Sequence, residues 1–280
     1  MLPQDLTLAL DFLDEHPEEA VRTLEQHDVA HVAAFLAQVP ASYSALVLGL
    51  ALPAFAAHLC ALLEPGTAAR LLLQHGVSRT VSVLRHLEHG LVDAILTECP
   101  QSRRHACQLL MMYPLDTAGA WMVPNTAVVT ADFSVQEVLN FLKDATEETV
   151  SKYVFVVDRA GMPLGRVSYL RLLKAGAEEQ LGRLMEASPG SISGRMPLVQ
   201  AARLPCWEQG DVMPVTGAQQ QFIGVLRHMD LRQGLRQNQI RRPQRTVGSD
   251  PVSGIIDVYG KSLLALFDSV SHAVDSSDRT

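Results

Sequence analysis

Ten histidines and four cysteines are the side chains of this 280-residue chain best placed by type to ligate a metal or act as nucleophiles. Their spacing argues against both uses. His86 and His89 share a helical face at i, i+3, and Cys99, His105 and Cys107 are close in sequence. Neither group is completed by a further Cys or carboxylate at the spacing of a zinc set. The histidines read as exposed helix-surface residues. Cys60, Cys99, Cys107 and Cys206 are scattered and form no Cys-x-x-Cys, the pattern of reduced, mostly buried thiols in a cytosolic protein. No G-x-G-x-x-G, P-loop, G-x-S-x-G or H-E-x-x-H occurs, so no catalytic set is visible and the chain reads as a non-enzyme. A basic cluster from Arg236 to Arg245 has two readings. One is contact with anionic lipid, at ~1 kcal/mol per residue near a charged surface. The default is a solvated linker.

The elements that must position any site follow from composition and period. Two domains of ordinary size fit the length, and 48% hydrophobic content suits a well-buried globular chain. Aromatics are only 5%, and the Leu, Ala and Val load favours helices. A net charge of −7 disfavours nucleic acid as a partner. No stretch of 18 or more apolar residues reads as a membrane span, and the start lacks the basic region of a signal peptide. The expected location is cytoplasmic, at most peripheral to the inner face of the membrane.

Residues 5 to 112 are punctuated by Pro17, Pro40, Pro53, Pro65, Gly76, Gly90 and Pro100. Between the breaks, apolar residues recur at helical spacing, as in Val29, Val32, Ala33 and Leu36, or Val77, Val81 and Leu84. Helices this short cannot bury a stripe alone, and the reading is a stacked all-α superhelix over residues 1–112. Pro17 and Pro65 suit first helical turns.

From residue 123 the period changes. Ala127 to Thr130 reads as a strand, and Ser134 with Glu137 as a capping box for a helix. Tyr153 to Asp158 reads as a buried strand, 159–163 as a turn, and Leu164 to Ser168 as a strand followed by a helix. The order repeats after about 60 residues: a lead-in at Leu181 to Met185, a strand at 191–193, and a helix from Pro197 to Trp207. Strands at Asp211 to Thr216 and Gln221 to Leu226 follow, then a helix from His228. Residues 237–250 read as a basic linker. The last segment, 251–274, reads as an amphipathic helix with Ile255, Ile256, Leu263, Leu266, Phe267 and Val270 on one face.

Between the two regions lies Met-Met-Tyr-Pro-Leu-Asp-Thr-Ala-Gly-Ala-Trp-Met, residues 111–122. Pro114 stops the preceding helix, and Thr117 to Ala120 are small enough for close backbone approach. The stretch 113–122 reads as a hinge. Its Tyr-Pro-x-Asp-Thr-Ala-Gly-x-x-Met resembles the junction motif of the MgtE magnesium-transporter family, and the likeness extends over roughly residues 10 to 236. The resemblance implies a multi-domain fold. An all-α superhelical N-domain is followed by an α/β CBS pair (a Bateman module) at about 123–180 and 181–236, then the amphipathic tail helix. No stretch of these residues is expected to form the family's membrane channel.

The resemblance also implies sites. CBS modules of the family place a Ser/Thr-x-x-Asp where strand meets helix, its carboxylate accepting from the ribose hydroxyls of an adenosine ligand. The matching residues are Ser168 and Arg171 in the first copy, and Arg227 and Asp230 in the second. The first keeps the hydroxyl and the second keeps the carboxylate. Arg171 or Arg227 suits a phosphate, which favours a guanidinium fork, and the Tyr153 ring offers a surface for a base. The family's Mg²⁺ sites imply several carboxylates at one place, for which Asp93, Glu98, Asp158 and Asp211 are the candidates.

The expected function is a soluble regulatory module like the Mg²⁺-sensing cytosolic part of an MgtE-type transporter. It would respond to Mg²⁺ and/or an adenosine nucleotide such as ATP through rearrangement of N-domain and CBS pair. A homodimer through the CBS domains is expected, with a membrane transporter or other protein as a partner of the C-terminal helix. The alternative is a protein-interaction scaffold whose degenerate CBS sites no longer sense a ligand.

Overall fold

A computed structural model describes residues 4–240 apart from 125, 144–151 and 189. The expected linker beyond residue 240 and the amphipathic tail lie outside the described residues. Two compact units divide after Pro100.

The first unit is a run of short helices. They are α1 (Gln4–Glu15), α2 (Pro17–Leu24), α3 (Val29–Leu36), α4 (Ala41–Leu50), α5 (Pro53–Ala61), α6 (Pro65–Leu72), α7 (Val77–Leu84) and α8 (His89–Thr97). Pro17, Pro53 and Pro65 each open a helix, where a missing N–H costs nothing. Asp28 caps α3 by accepting from the Ala30 and His31 amides at 3.0 and 3.4 Å. From α2 onward each helix packs on the next but one, so α2, α4, α6 and α8 form one row and α3, α5 and α7 the other. Buried hydroxyls stitch successive helices at equivalent places. Ser44 donates to the Leu36 carbonyl at 2.9 Å and Thr80 to the Leu72 carbonyl at 3.1 Å, each satisfying the last turn of the preceding helix. Arg79, on α7, donates to the Leu48 and Ala51 carbonyls at the end of α4. Burial lowers the pKa of Arg79 and pushes the Cys60 thiol up to about 12, which leaves that cysteine protonated and inert.

The second unit starts with α9 (Gln101–Met111) and holds two α/β copies. The first comprises β1 (Val128–Thr130), α10 (Val135–Lys143), β2 (Tyr153–Val157), β3 (Pro163–Ser168) and α11 (Tyr169–Lys174). After α12 (Leu181–Leu184) and β4 (Glu186–Ala187) come β5 (Ile192–Ser193), α13 (Leu198–Ala201), β6 (Val212–Thr216), β7 (Phe222–Arg227) and α14 (His228–Ile240). One sheet has the order β1-β2-β3-β4 and the other β5-β6-β7. In each, the first two strands are parallel across a helical connection and the third is antiparallel. The expected capping box forms: Ser134 N–H donates to Glu137 at 2.8 Å, and Glu137 N–H to Ser134 Oγ at 3.3 Å.

One sequence expectation changes. The helix expected from Pro197 to Trp207 is broken. It ends at Ala201, Leu204 is extended ahead of Pro205, and a 3-10 turn covers Pro205–Glu208. Proline removes the N–H and pushes its predecessor out of helical geometry. The junction 113–122 is stitched to the second copy. Ala118 and Gly119 N–H donate to the carbonyls of Met196 and Gly194 at 2.9 and 2.8 Å, and Leu198 N–H to that of Asp116 at 2.7 Å. A Cβ on Gly119 would lie 2.5 Å from the Tyr113 ring, and one on Gly194 2.8 Å from it, so both glycines make room for Tyr113. Trp121 is buried, its Nε1 donating to the Leu115 carbonyl at 2.7 Å.

The copies superpose with an offset of 59 residues: the strand irregularity at Val156/Val157 recurs at Val215/Thr216. At the turn before the third strand the first copy has Gly161 with φ +80°, and the second has Gln220 with φ +62°. A side chain in that left-handed region costs roughly 1–2 kcal/mol, part of which glycine returns as backbone entropy. Gln220→Gly is expected to stabilise the second unit by about 1 kcal/mol. Urea unfolding followed by tryptophan fluorescence measures it, since the two tryptophans of the chain, Trp121 and Trp207, both lie in this unit.

Candidate nucleotide cleft

Each copy ends its third strand on a residue that starts the following helix, and these junctions carry the candidate ligands. In the first copy, Ser168 pairs with Tyr153 across β2 and β3 and caps α11, its Oγ accepting from the Arg171 amide at 3.3 Å. The Arg171 side chain turns away from Ser168. It donates to the Leu184 carbonyl at 2.9 Å and pairs with Glu186 at 3.1 Å. In the second copy, Arg227 and Asp230 face each other in a bidentate pair, Nε to Oδ2 at 2.6 Å and Nη2 to Oδ1 at 2.9 Å. The carboxylate is only 10% exposed and the guanidinium 45%. The hydrogen bond to Asp230 raises the Arg227 pKa. Asp230 also lies in the first turn of α14, where the helix dipole favours negative charge.

Tyr153 is half-buried, and one face of its ring is taken: the Arg166 guanidinium sits 4.3 Å from the ring centre. Arg166 itself is buried on β3. It reaches from the first copy into the second, donating to the Val212 and Gln209 carbonyls at 3.2 and 3.3 Å, while its buried Nε has no partner among the described residues. Gly210 lets it in, since a Cβ there would stand 3.0 Å from both terminal nitrogens. A base stacking on Tyr153 must use the other side of the ring or displace this cation.

Two candidate metal ligands, Asp158 and Asp211, lie in the second unit and two, Asp93 and Glu98, in the helical unit. Asp158 holds the β2–β3 turn, accepting from the Ala160 and Met162 amides at 2.9 and 2.8 Å. Asp211 pairs with Lys152 at 2.5 Å. The hydrogen bond from Lys152 lowers the Asp211 pKa, and its counterpart raises that of Lys152. Asp158 follows β2 and Lys152 precedes it, so these two acids sit at opposite ends of that strand. In the helical unit, Asp93 is exposed on α8, and Glu98 lines an open polar cavity with Glu64, Thr67 and Arg70. Among the described residues no three of His, Cys, Asp and Glu converge as a metal site.

Sequence reasoning passed over Arg166 and the Lys152–Asp211 pair. A charged residue inside an apolar strand was the available signal for the first. The second was legible in the repeat, because Lys152 and Asp211 are 59 residues apart and hold equivalent positions in the two copies. The pair therefore links equivalent positions of the two copies.

Comparison with known proteins defines the class. Residues 15–116 match the MgtE intracellular N domain and residues 118–178 a CBS domain. The second α/β copy lies beyond that match and repeats its strand order. A match to an MgtE N domain is thus followed by a match to a CBS domain and by a second copy of the same strand order. The chain is homologous to the magnesium transporter MgtE of Thermus thermophilus, 27% identical over 128 residues, which is 45% of this chain and 28% of the transporter. The chain therefore spans well under a third of that relative. Two solved structures share its fold. One is the cytosolic domain of the Mg²⁺ channel MgtE in complex with ATP, with 21% identity, 81% of this chain, 99% of that one and TM-score 0.55. The other is the soluble part of a magnesium transporter, with 18% identity, 84% and 98% coverage and TM-score 0.58. Among the described residues no helix is long and apolar enough to cross a membrane.

Arg166→Ala removes one buried and one part-buried hydrogen bond and a cation–π contact. It is expected to destabilise the second unit by about 3 kcal/mol. Arg166→Lys, which keeps charge without the fork, should recover only part of that. Urea midpoints for the three proteins decide it, and equal midpoints would remove Arg166 from any role in joining the copies.

Proposed function

We propose that this chain is a regulatory, non-catalytic module of MgtE-type magnesium transport, and that it takes an adenosine nucleotide in the cleft of the second CBS copy. The supporting observation is the Arg227–Asp230 pair. A nearly buried carboxylate is expensive to leave uncompensated, and Arg227 compensates it. The guanidinium is the exposed partner and can swing to a phosphate, for which its fork is suited. The freed carboxylate then accepts from the two ribose hydroxyls. That a structural relative was solved with ATP makes ATP the first nucleotide to test.

Titration of the full chain with ATP, ADP, AMP and S-adenosylmethionine, followed by thermal shift, tests this reading. A ligand at 100 times its dissociation constant should stabilise the fold by ~2.7 kcal/mol. Asp230→Asn should abolish the shift and Arg227→Met should weaken it most for ligands with more phosphates. MgCl₂ titrated alone, against CaCl₂, reports whether Asp93, Glu98, Asp158 or Asp211 hold an ion. MgCl₂ with ATP reports whether the metal arrives chelated by phosphates, its usual mode. The second reading, a scaffold without ligand sensing, is favoured by one observation: Ser168, Arg171, Arg227 and Asp230 all have partners within the chain. A flat response to every ligand selects it.

We also propose a homodimer through the CBS pair. Leu170 and Leu173 on α11 are 62% and 72% exposed, and Met229 on α14 is 65% exposed. α11 and α14 follow equivalent strands of the two copies, so their apolar residues belong to related faces, as an isologous contact requires. Leu170→Glu with Leu173→Glu should convert a dimer to a monomer in sedimentation velocity. A native chain already monomeric at tens of micromolar would sink the proposal.

A further inference from the structure

The helical unit has an apolar groove of about 310 Å³ that its own described helices leave open. Its floor is Leu36, Leu48 and Leu59, all buried. Its mouth is flanked by Ala37 and Ala41, which are exposed and small. The Ser44 hydroxyl on its wall is already committed to the Leu36 carbonyl. Such a groove offers little to a polar ligand. A leucine floor below an alanine rim suits a helix, because small rim residues let a backbone approach and the floor receives its large side chains. The volume lies at the lower end of the ~300–1,000 Å³ range of binding clefts, and close-packed interiors do not leave such space unfilled.

We propose that the groove docks the chain's own C-terminal segment, residues 255–270, as an amphipathic helix. Ile256, Leu263, Phe267 and Val270 recur at the i, i+4 and i+7 spacings of a groove-binding helix. Charge complementarity selects this occupant. Residues 1–100 carry twelve acidic side chains against four basic ones. The tether that leads to the segment carries Arg241, Arg242 and Arg245, with no acid between 241 and 249. A cationic tether thus delivers an apolar helix to an anionic domain. The 14 residues from 241 to 254 span up to ~46 Å when extended. Covalent attachment sets an effective concentration in the millimolar range, so a weak groove contact is populated.

Cysteine pairing in the full chain tests this. Ala37→Cys is combined in turn with Cys at Leu263, Leu266, Phe267 or Val270, and, as opposite-face controls, at Lys261 or Asp268. The four native cysteines are buried and do not compete. With copper–phenanthroline as oxidant, the apolar-face pairs are expected to close intrachain disulfides at least ten-fold faster than the controls. Equal rates, no disulfide, or disulfides formed only between chains would overturn the proposal, the last by assigning the groove to a second copy. An independent arm needs no introduced cysteine. Leu263→Glu with Phe267→Glu should speed tryptic cleavage at Arg245 at least ten-fold if the segment is docked, and an unchanged rate overturns docking.

Discussion

Two backbone approaches hold the α/β unit together. The segment leading into each copy pairs with the last strand of the other. Glu186 and Ala187, which precede the second copy, lie on β3 of the first. Val123, which precedes the first, exchanges two hydrogen bonds with Val225 on β7 of the second, at 2.7 and 3.0 Å. Both approaches run over a glycine. A Cβ on Gly165 would stand 2.4 Å from the Glu186 carbonyl oxygen, and one on Gly224 2.7 Å from that of Val123. Gly224 in addition has φ +156°. Neither contact survives a side chain, so neither copy closes its sheet edge without the other. The pairing also brings the Tyr-Pro-x-Asp-Thr-Ala-Gly stretch onto the second copy, because the chain that reaches Val123 must first pass Gly194 and Met196.

That exchange explains what the sequence made legible. Apolar period, prolines and the capping box are local signals, and they located the helical run, the repeat and Ser134–Glu137 because the physics that sets them acts over a few residues. The twin glycines were visible as a repeated Gly165 and Gly224, but not their cause, which is a carbonyl from a segment 21 residues away in one case and 101 in the other. The same holds for Arg166. Its placement beneath the Tyr153 ring depends on Gly210 and on the carbonyls of Gln209 and Val212, all more than 40 residues downstream. The broken helix after Ala201 is different, since Pro205 is itself a local signal that ends a helix.

The two strand-to-helix junctions show how a repeat loses symmetry. Ser168 and Arg227 hold one position, and Arg171 and Asp230 the other. Where the first copy has a hydroxyl and a cation, the hydroxyl turns inward to cap its helix and the cation leaves for Glu186. Where the second has a cation and a carboxylate, they neutralise each other in place. An arrangement that fills its own hydrogen bonds is stable without a ligand. It admits one only if the ligand replaces both halves of the pair, which a nucleotide, with hydroxyls for the carboxylate and phosphate for the guanidinium, is equipped to do.

The helical unit follows another logic. Each of its helices has eight to twelve residues, too short to hold itself. The rows of alternate helices pack together, and buried Ser44 and Thr80 and half-buried Arg79 satisfy carbonyls at helix ends that packing would otherwise strand. Stacking of this kind is open by construction, because side-by-side helices leave furrows wherever small residues occur in succession. Ala33, Ala37 and Ala41 are such a succession, and the furrow beside them reaches the buried leucines. The bias to Ala and Leu that lets short helices stack is therefore also what leaves this unit with an apolar surface to be covered.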